Sequence, residues 1–365
     1  MNPILSKYAK LLVNYCVSIK PNEKVLISST TLAEDLVREV YREVLKAGGL
    51  PHVQLEFRDQ AVIENNESNA DQLKYVDPLY AQAMQEFDAY IFIRAPFYSR
   101  STQKMNGENS KIARLAKQPY RQRYSERTGS LEMKRTLCEF PTAAHAQNAG
   151  MSLEDYAHFI YNACYLFEDN PQAKWEEVSR NQQKIVDMLN TKSDVRYVGE
   201  GTDISFSCAG RIWINSDGKT NMPSGEVYTA PVDDSVNGTI HFAYPSMFSG
   251  EEVEGITLTV KDGWVESWDA KKGKLLLDRI FAIDEGARRF GEAAIGTNMR
   301  IQEPVKNILF DEKIGGTVHM AVGQAYIQNN GTNKSAIHWD MIADMKQGGK
   351  IFADGDLVYE NGKFL

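Results

Sequence analysis

The first 140 residues alternate between two periodicities, and that alternation limits the fold more than any other feature of the chain. Lys24–Ser28 (KVLIS) is a short apolar run. Leu32–Ala47 follows, with Leu36, Val37, Val40, Tyr41, Val44 and Leu45 on one helical face, and Gly48-Gly49 ends it as a helix C-terminus requires. His52–Phe57 alternates like a strand, Asp71–Phe87 is helical with a break near Pro78, and Ala89–Arg94 (AYIFIR) has the composition of a buried strand. Lys104–Leu115 returns to helical spacing and Thr136–Phe140 is another strand. Strands joined through helices pair in parallel, because a parallel crossover needs the length that a helix supplies. The expected fold class is therefore α/β, with a doubly wound N-terminal domain carrying helices on both faces of its sheet.

That half lacks the usual nucleotide signatures. No G-x-G-x-x-G follows the first strand, no G-x-x-x-x-G-K-[ST] occurs, and Gly48-Gly49 and Gly315-Gly316 lack the rest of either pattern. From Pro141 to Thr191 the spacing is helical, with Ser152 and Asp155 as a capping pair. His145 and His158 fall in this region and read as helix-surface or helix-packing residues. At 365 residues the chain is long for a single core. The helix near 170–190 reads as a connector and the division falls near Ser193, giving an N-terminal domain over 1–192 and a C-terminal domain over 193–365.

Past Val195 strands shorten and glycine turns multiply. Arg196–Gly199, Thr202–Ala209, Thr257–Val260, Trp264–Trp268 and Thr317–Val322 read as strands, Asp262-Gly263 as a hairpin turn, and Lys274 to about Arg289 as a helix. A hairpin around Asp354-Gly355 closes the chain. The second domain is thus β-rich α+β.

A net charge of -8 argues against a nucleic-acid reader, which needs a basic face; Lys111, Arg114, Lys117, Arg121 and Arg123 read as a solvated helix side. No run approaches the eighteen apolar residues of a membrane span, and the start is amphipathic, interrupted by Lys7 and Lys10. Neither nucleic acid nor membrane is expected as a partner. Cys16, Cys138, Cys164 and Cys208 lie far apart with no C-x-x-C, as expected of reduced thiols in a cytoplasmic protein.

The chemistry concentrates between Asp311 and Asp340, a stretch holding Glu312, His319, Tyr326, His338 and Asp340. Imidazoles and carboxylates in one compact unit suit a divalent cation such as zinc, cobalt or manganese. The alternative is a set of ordinary strand and loop residues with local hydrogen bonds. Two further carboxylates each follow a glycine. Glu226, in NMPSGEVYTAP, opens a strand and can point into a cleft or sit in a surface turn; Glu292, in RRFGEAAIGTN, falls at the end of a helical segment. Glu251, Glu252 and Glu254 read as a solvated acidic loop.

NMPSGEVYTAP, FGEAAIGTN, NILFDEKIGGTVHMAVG and NKSAIHWDM occur in that order. Together with KYAKLLVNYCVSIKPNEKVLI near the start and AQNAGMSLEDYAHFIYNACYLF in the middle, they resemble the thermophilic-metalloprotease aminopeptidases, the group of aminopeptidases T, S and II. The resemblance runs over essentially the whole chain. It implies a two-metal exopeptidase that works as a homodimer on peptides with a free N-terminus, with an α/β N-terminal domain and the site in the C-terminal one. It implies Glu226, Glu292, Glu312, His319, His338 and Asp340 as metal ligands and Tyr326 as the catalytic tyrosine. The spacing from Glu312 to His319 varies within such families, and Ile327–Gly331 (IQNNG) departs from the Pro-Glu-Thr-Gly-Gly usual there, which bears on substrate preference.

The residue chemistry agrees with that implication. Four carboxylates and two imidazoles can hold two dications with one carboxylate bridging, and such a pair can activate a water for attack on a peptide carbonyl. A phenol seven residues after His319 can donate to the oxyanion. A carboxylate must carry the proton to the leaving amine, and Glu226 or Glu292 can be lent from the metal for this. No H-E-x-x-H helix is present, so a thermolysin-like site is excluded. The competing reading is a non-catalytic metal- or peptide-binding protein that keeps the fold, and against it all seven positions carry competent side chains.

Overall fold

The computed structural model describes residues 2–365 and divides them into two compact units. The first comprises the chain through Gln172 together with Gly218–Pro223; the second is Ala173–Asp217 with Ser224–Leu365.

The first unit is built on a five-stranded sheet in the order Leu50–Glu56, Lys24–Thr30, Ala89–Arg94, Lys134–Glu139, Asn221–Met222. Every pairing is parallel. The first strand in sequence lies inside the sheet, so the winding reverses beside it, and right-handed crossovers of opposite sense put helices on opposite faces. Accordingly, Glu34–Lys46 packs with the N-terminal helix Pro3–Lys10, while Gly107–Gly129 packs with Ala70–Lys74 and Pro78–Glu86. The expected helix at Lys104–Leu115 thus begins later and runs much further, straight through Pro119. A proline costs one helical hydrogen bond and crowds the preceding turn. Tertiary contacts beyond it offset that cost: Tyr120 meets Tyr80 at a ring-centroid distance of 6.5 Å, and Tyr124 meets Tyr90 at 6.0 Å.

The second unit contains two antiparallel sheets over a shared core. One has nine strands, among them Asp194–Gly199, Thr202–Ser207, Asn237–Phe242, Glu251–Lys261 and Trp264–Lys272. The other has five, in the order His338–Asp344, Thr317–Gly323, Phe290–Gly296, Glu226–Thr229, Ile214–Ser216. Tyr197, Phe206 and Phe242 from the first sheet and Ile295, Val318, Met320 and Met341 from the second belong to one buried cluster, which also takes Val186 and Leu189 from the helix Pro171–Leu189.

That helix moves the division away from Ser193. It reads as a connector because its face is largely charged, yet Val186 and Leu189 enter the second core. The return of Asn221–Met222 to the first sheet, beside Leu137 and Cys138, is a pairing of two residues and too short to leave a period in the sequence. Two further expectations change. The helix begun at Lys274 stops at Ile280, and Phe290–Gly296 is a fully buried strand, so Glu292 lies mid-strand and not at a helix end. Glu251, Glu252 and Glu254 open the long strand Glu251–Lys261, where Lys272 from the neighbouring hairpin arm, Arg279 from the helix Lys274–Ile280 and Lys306 from a loop supply the cations that let an acidic run pair as a strand.

Candidate metal centre

Alternation in a strand puts every second side chain on the same face, and residues directly opposite on neighbouring strands share a face. In the five-stranded sheet Glu292 lies opposite Ala321, which lies opposite Asp340. One row on, Ala294 faces His319. Beyond it Gly296 faces Glu226, and on the other side Gly323 faces His338. The register therefore places Glu226, Glu292, His319, His338 and Asp340 on one face, with Ala294, Ala321, Gly296 and Gly323 as the small residues between them. The opposite face carries Val227, Ala293, Ile295, Val318, Met320, Val322, Trp339 and Met341 into the core. The same strands are apolar on one side and chemical on the other.

Two glycines set the carboxylates. Gly225, at φ +113°, occupies backbone that favours glycine, and a Cβ there would stand 2.7 Å from the Cβ of Asn298. Gly291 sits where the register shifts beside Glu292, and a Cβ there would stand 2.4 Å from the Gly323 carbonyl oxygen. The glycine before each glutamate thus has a steric reason. From the helix Pro171–Leu189, Gln182 donates to the carbonyls of Ser216 and Glu226, each at 3.1 Å, and accepts from Thr297 at 2.9 Å. That buried amide ties the strand of Glu226 to the helix.

His319 is fully buried, with Nε2 3.5 Å from Glu226, 3.4 Å from Glu292 and 4.0 Å from Asp340. His338 Nε2 lies 3.3 Å from Glu292 and 3.5 Å from Asp340. Its Nδ1 is 2.7 Å from the Gln324 carbonyl oxygen, which can only accept, so Nδ1 carries the hydrogen and Nε2 faces the carboxylates. Two donor groups result, each with ligand atoms within 4.8 Å of one another: Glu226, Glu292 and His319, and Glu292, His338 and Asp340. Glu292 belongs to both. Glu312 joins neither group; its carboxylate is in contact with the ammonium of Lys313. Tyr326 stands at the edge, 41% exposed, with its ring 4.9 Å from that of His338 and 6.1 Å from that of Tyr228.

The electrostatics are those of a cluster that calls for cations. Burial pulls His319 down, but Glu292, Glu226 and Asp340 outweigh it and push it up to about 9. His338 is likewise raised, burial being overcome by Asp340 and Glu292. Burial pushes Asp340 up, but His338 and His319 hold it at about 2. Burial raises Glu312 to about 8 against the pull of Lys313. Burial and then Glu292, Asp340 and Glu312 keep the Tyr326 phenol protonated. Among the described residues, Glu226 Oε2 and both ring nitrogens of His319 are buried with no hydrogen-bond partner. An unsatisfied buried carboxylate oxygen beside an unsatisfied imidazole is costly unless a ligand completes it, and nitrogen and carboxylate donors suit a divalent first-row metal. The residues fit such an ion.

Of the seven positions read from the sequence, five lie in the two donor groups, Tyr326 borders them, and Glu312 stands beside them. Sequence reasoning missed Gln182 and Lys313. Only the adjacency of Lys313 to Glu312 could have signalled the second. The histidines in the helical region are elsewhere: His145 Nδ1 is 2.5 Å from Glu139, and His158 stacks on Phe167 at 4.7 Å. A cavity of about 240 Å³ outside the carboxyl ends of the first unit's strands, lined by Thr30, Glu56 and Arg94 among others, contains none of the cluster.

Residues 1–364 match the family described as thermophilic metalloprotease (M29). The chain is 28% identical to aminopeptidase 2 of Geobacillus stearothermophilus, over 98% of both chains. It is 26% identical to aminopeptidase AmpS of Bacillus subtilis, over 99% of this chain and 98% of that one. The solved structure of wild-type AmpT from Thermus thermophilus superposes with a TM-score of 0.85 over 99% of each chain at 24% identity, which establishes the mixed α/β fold. With the family match running essentially end to end over a sheet face built for metal, this chain belongs to the thermophilic metalloprotease family.

Proposed function

We propose that the protein is a metalloaminopeptidase, a hydrolase that removes residues one at a time from the N-terminus of peptides. The observation that carries the reading is the pair of donor groups sharing Glu292 on one face of the sheet. Glu226 and His319 would hold one divalent ion, His338 and Asp340 another, with Glu292 available to both; zinc, cobalt or manganese there would supply an activated water and a polarised scissile carbonyl. The Gln324 carbonyl fixes the His338 ring so that Nε2 faces inward. Tyr326, protonated and at the edge of the cluster, donates to the oxyanion of the tetrahedral intermediate. Glu312, outside both groups, is the carboxyl left to carry the proton to the leaving amine. The reading includes a homodimer, in keeping with the family resemblance, and a cytoplasmic location, in keeping with four buried cysteines.

The test is a panel of aminoacyl-nitroanilides and short peptides, assayed after chelation and with each metal restored. Release of single N-terminal residues, abolished by acetylating the amine, is the expected result. Internal cleavage of acetylated peptides at comparable rates would replace the exopeptidase by an endopeptidase. Metal binding with no turnover on any substrate would leave a non-catalytic binding protein.

A further inference from the structure

We propose that Lys313 is a built-in counter-cation of the donor cluster that makes the two ion positions unequal, so that Glu292, His338 and Asp340 fill first and Glu226, Glu292 and His319 hold a weaker second ion. The inference rests on the metal reading above and adds an order of occupancy to it.

Lys313 is 0% exposed. Its Nζ lies 3.7 Å from Glu226 Oε1 and in contact with Glu312 Oε1. A buried ammonium is tolerated only when paired, and both partners here belong to the site. The ammonium is also held in place. The Lys313 N–H donates to Phe310 at 3.0 Å, and the Lys313 carbonyl accepts from Asn298 N–H at 3.1 Å. The Asn298 side chain donates to the Ser224 carbonyl at 2.9 Å, two residues before Glu226. Lys313 and Glu226 are therefore carried on backbone segments bridged through Asn298, which keeps the cation against that carboxylate.

Charge then separates the two positions. Glu226, Glu292 and Asp340, the carboxylates of the donor groups, and Glu312, paired with Lys313, bear four negative charges. One dication and the Lys313 ammonium leave one of them uncompensated. A second dication turns that into an excess of one positive charge in a buried site, where charges are weakly screened. The repulsion falls on the position that uses Glu226, because that carboxylate is the one already shared with Lys313. The other position is completed by His338, whose side chain is 21% exposed and offers the way in.

The experiment is calorimetric titration of the metal-free protein with zinc and with manganese, with elemental analysis for stoichiometry, on the wild type, Lys313→Met and Lys313→Gln. The wild type should bind two ions with constants at least a hundredfold apart. In both variants the weaker constant should tighten at least tenfold while the tighter one changes by less than threefold. Cobalt absorption assigns the order: His338→Ala should remove the first equivalent's spectrum. Two wild-type sites of equal affinity overturn the proposal, and this outcome decides the matter even if both variants fail to fold. Folded variants with unchanged constants overturn it as well. In those two cases the metalloenzyme reading stands, whereas no stoichiometric metal on the wild type would remove that reading itself.

Discussion

Replacing Glu139 by glutamine should destabilise the first unit by about 3 kcal/mol at neutral pH, and the loss should shrink in acid. Glu139 ends the strand Lys134–Glu139 with its side chain 0% exposed. It accepts from Arg94 Nε at 2.9 Å and Tyr156 Oη at 2.6 Å, and His145 Nδ1 lies at 2.5 Å. Burial pushes its carboxyl up, but His145, Arg94 and Tyr156 outweigh burial and hold it at about 2, below the ordinary 4.5. At about 1.4 kcal/mol per pH unit, that difference is worth about 3 kcal/mol. The sign follows from proton counting. Between pH 2 and 4.5 the unfolded chain binds more protons at this site than the folded one, so the contribution is complete above 4.5 and is lost as pH falls toward 2. It should be about 1.5 kcal/mol at pH 3. Glutamine keeps the shape without the charge and carries no such pH dependence. The assay is urea unfolding of wild type and Glu139→Gln between pH 3 and 7.5, followed by far-ultraviolet circular dichroism. All five tryptophans, Trp175, Trp213, Trp264, Trp268 and Trp339, lie in the second unit, so their fluorescence follows that unit separately. A gap below 1 kcal/mol at pH 7, or one that fails to narrow in acid, would refute the argument.

Three further outcomes are expected. His338→Ala and Asp340→Asn should lower bound metal and activity together, whereas Tyr326→Phe should keep its metal and lose roughly 10²–10³ in kcat with a smaller change in KM; metal analysis beside steady-state kinetics tests all three. Ala321→Leu places a large side chain between Glu292 and Asp340, so metal content should collapse while stability falls by about 1–3 kcal/mol, read by elemental analysis and thermal melting. Gly225→Ala forces a Cβ against Asn298 at positive φ and should cost about 1–3 kcal/mol, measured by tryptophan fluorescence during chemical unfolding.

The parallel sheet was legible because Lys24–Thr30 and Ala89–Arg94 are short apolar runs and Glu34–Lys46 buries one apolar stripe, Leu36, Val37, Val40 and Val44. Ala89–Arg94 is read to the residue, and Glu34–Lys46 within two residues at its start. The site sheet was less legible. Phe290–Gly296 is buried on both sides, yet its sequence, FGEAAIG, alternates small residues with a charge and shows no apolar period. Its alanines and glycines are small because the face they share holds the cluster, and its glutamate is there for the same reason. Likewise the helix Pro171–Leu189 belongs to the second unit through a few residues, Gln182, Val186 and Leu189, on an otherwise charged stretch.

The sequence by itself determined the α/β character of the first half, the β-rich character of the second and the residue types of the site, because periodicity and ordered motifs are local properties. Only the tertiary structure decided how those residues combine. Antiparallel register brought Glu226, Glu292, His319, His338 and Asp340 to one face from four strands. It also drew Glu312 aside to Lys313 and pressed that ammonium against Glu226. Which carboxylates converge and which is shared with a lysine depends on distances of a few ångströms between segments far apart in the chain, and no spacing along the sequence encodes them.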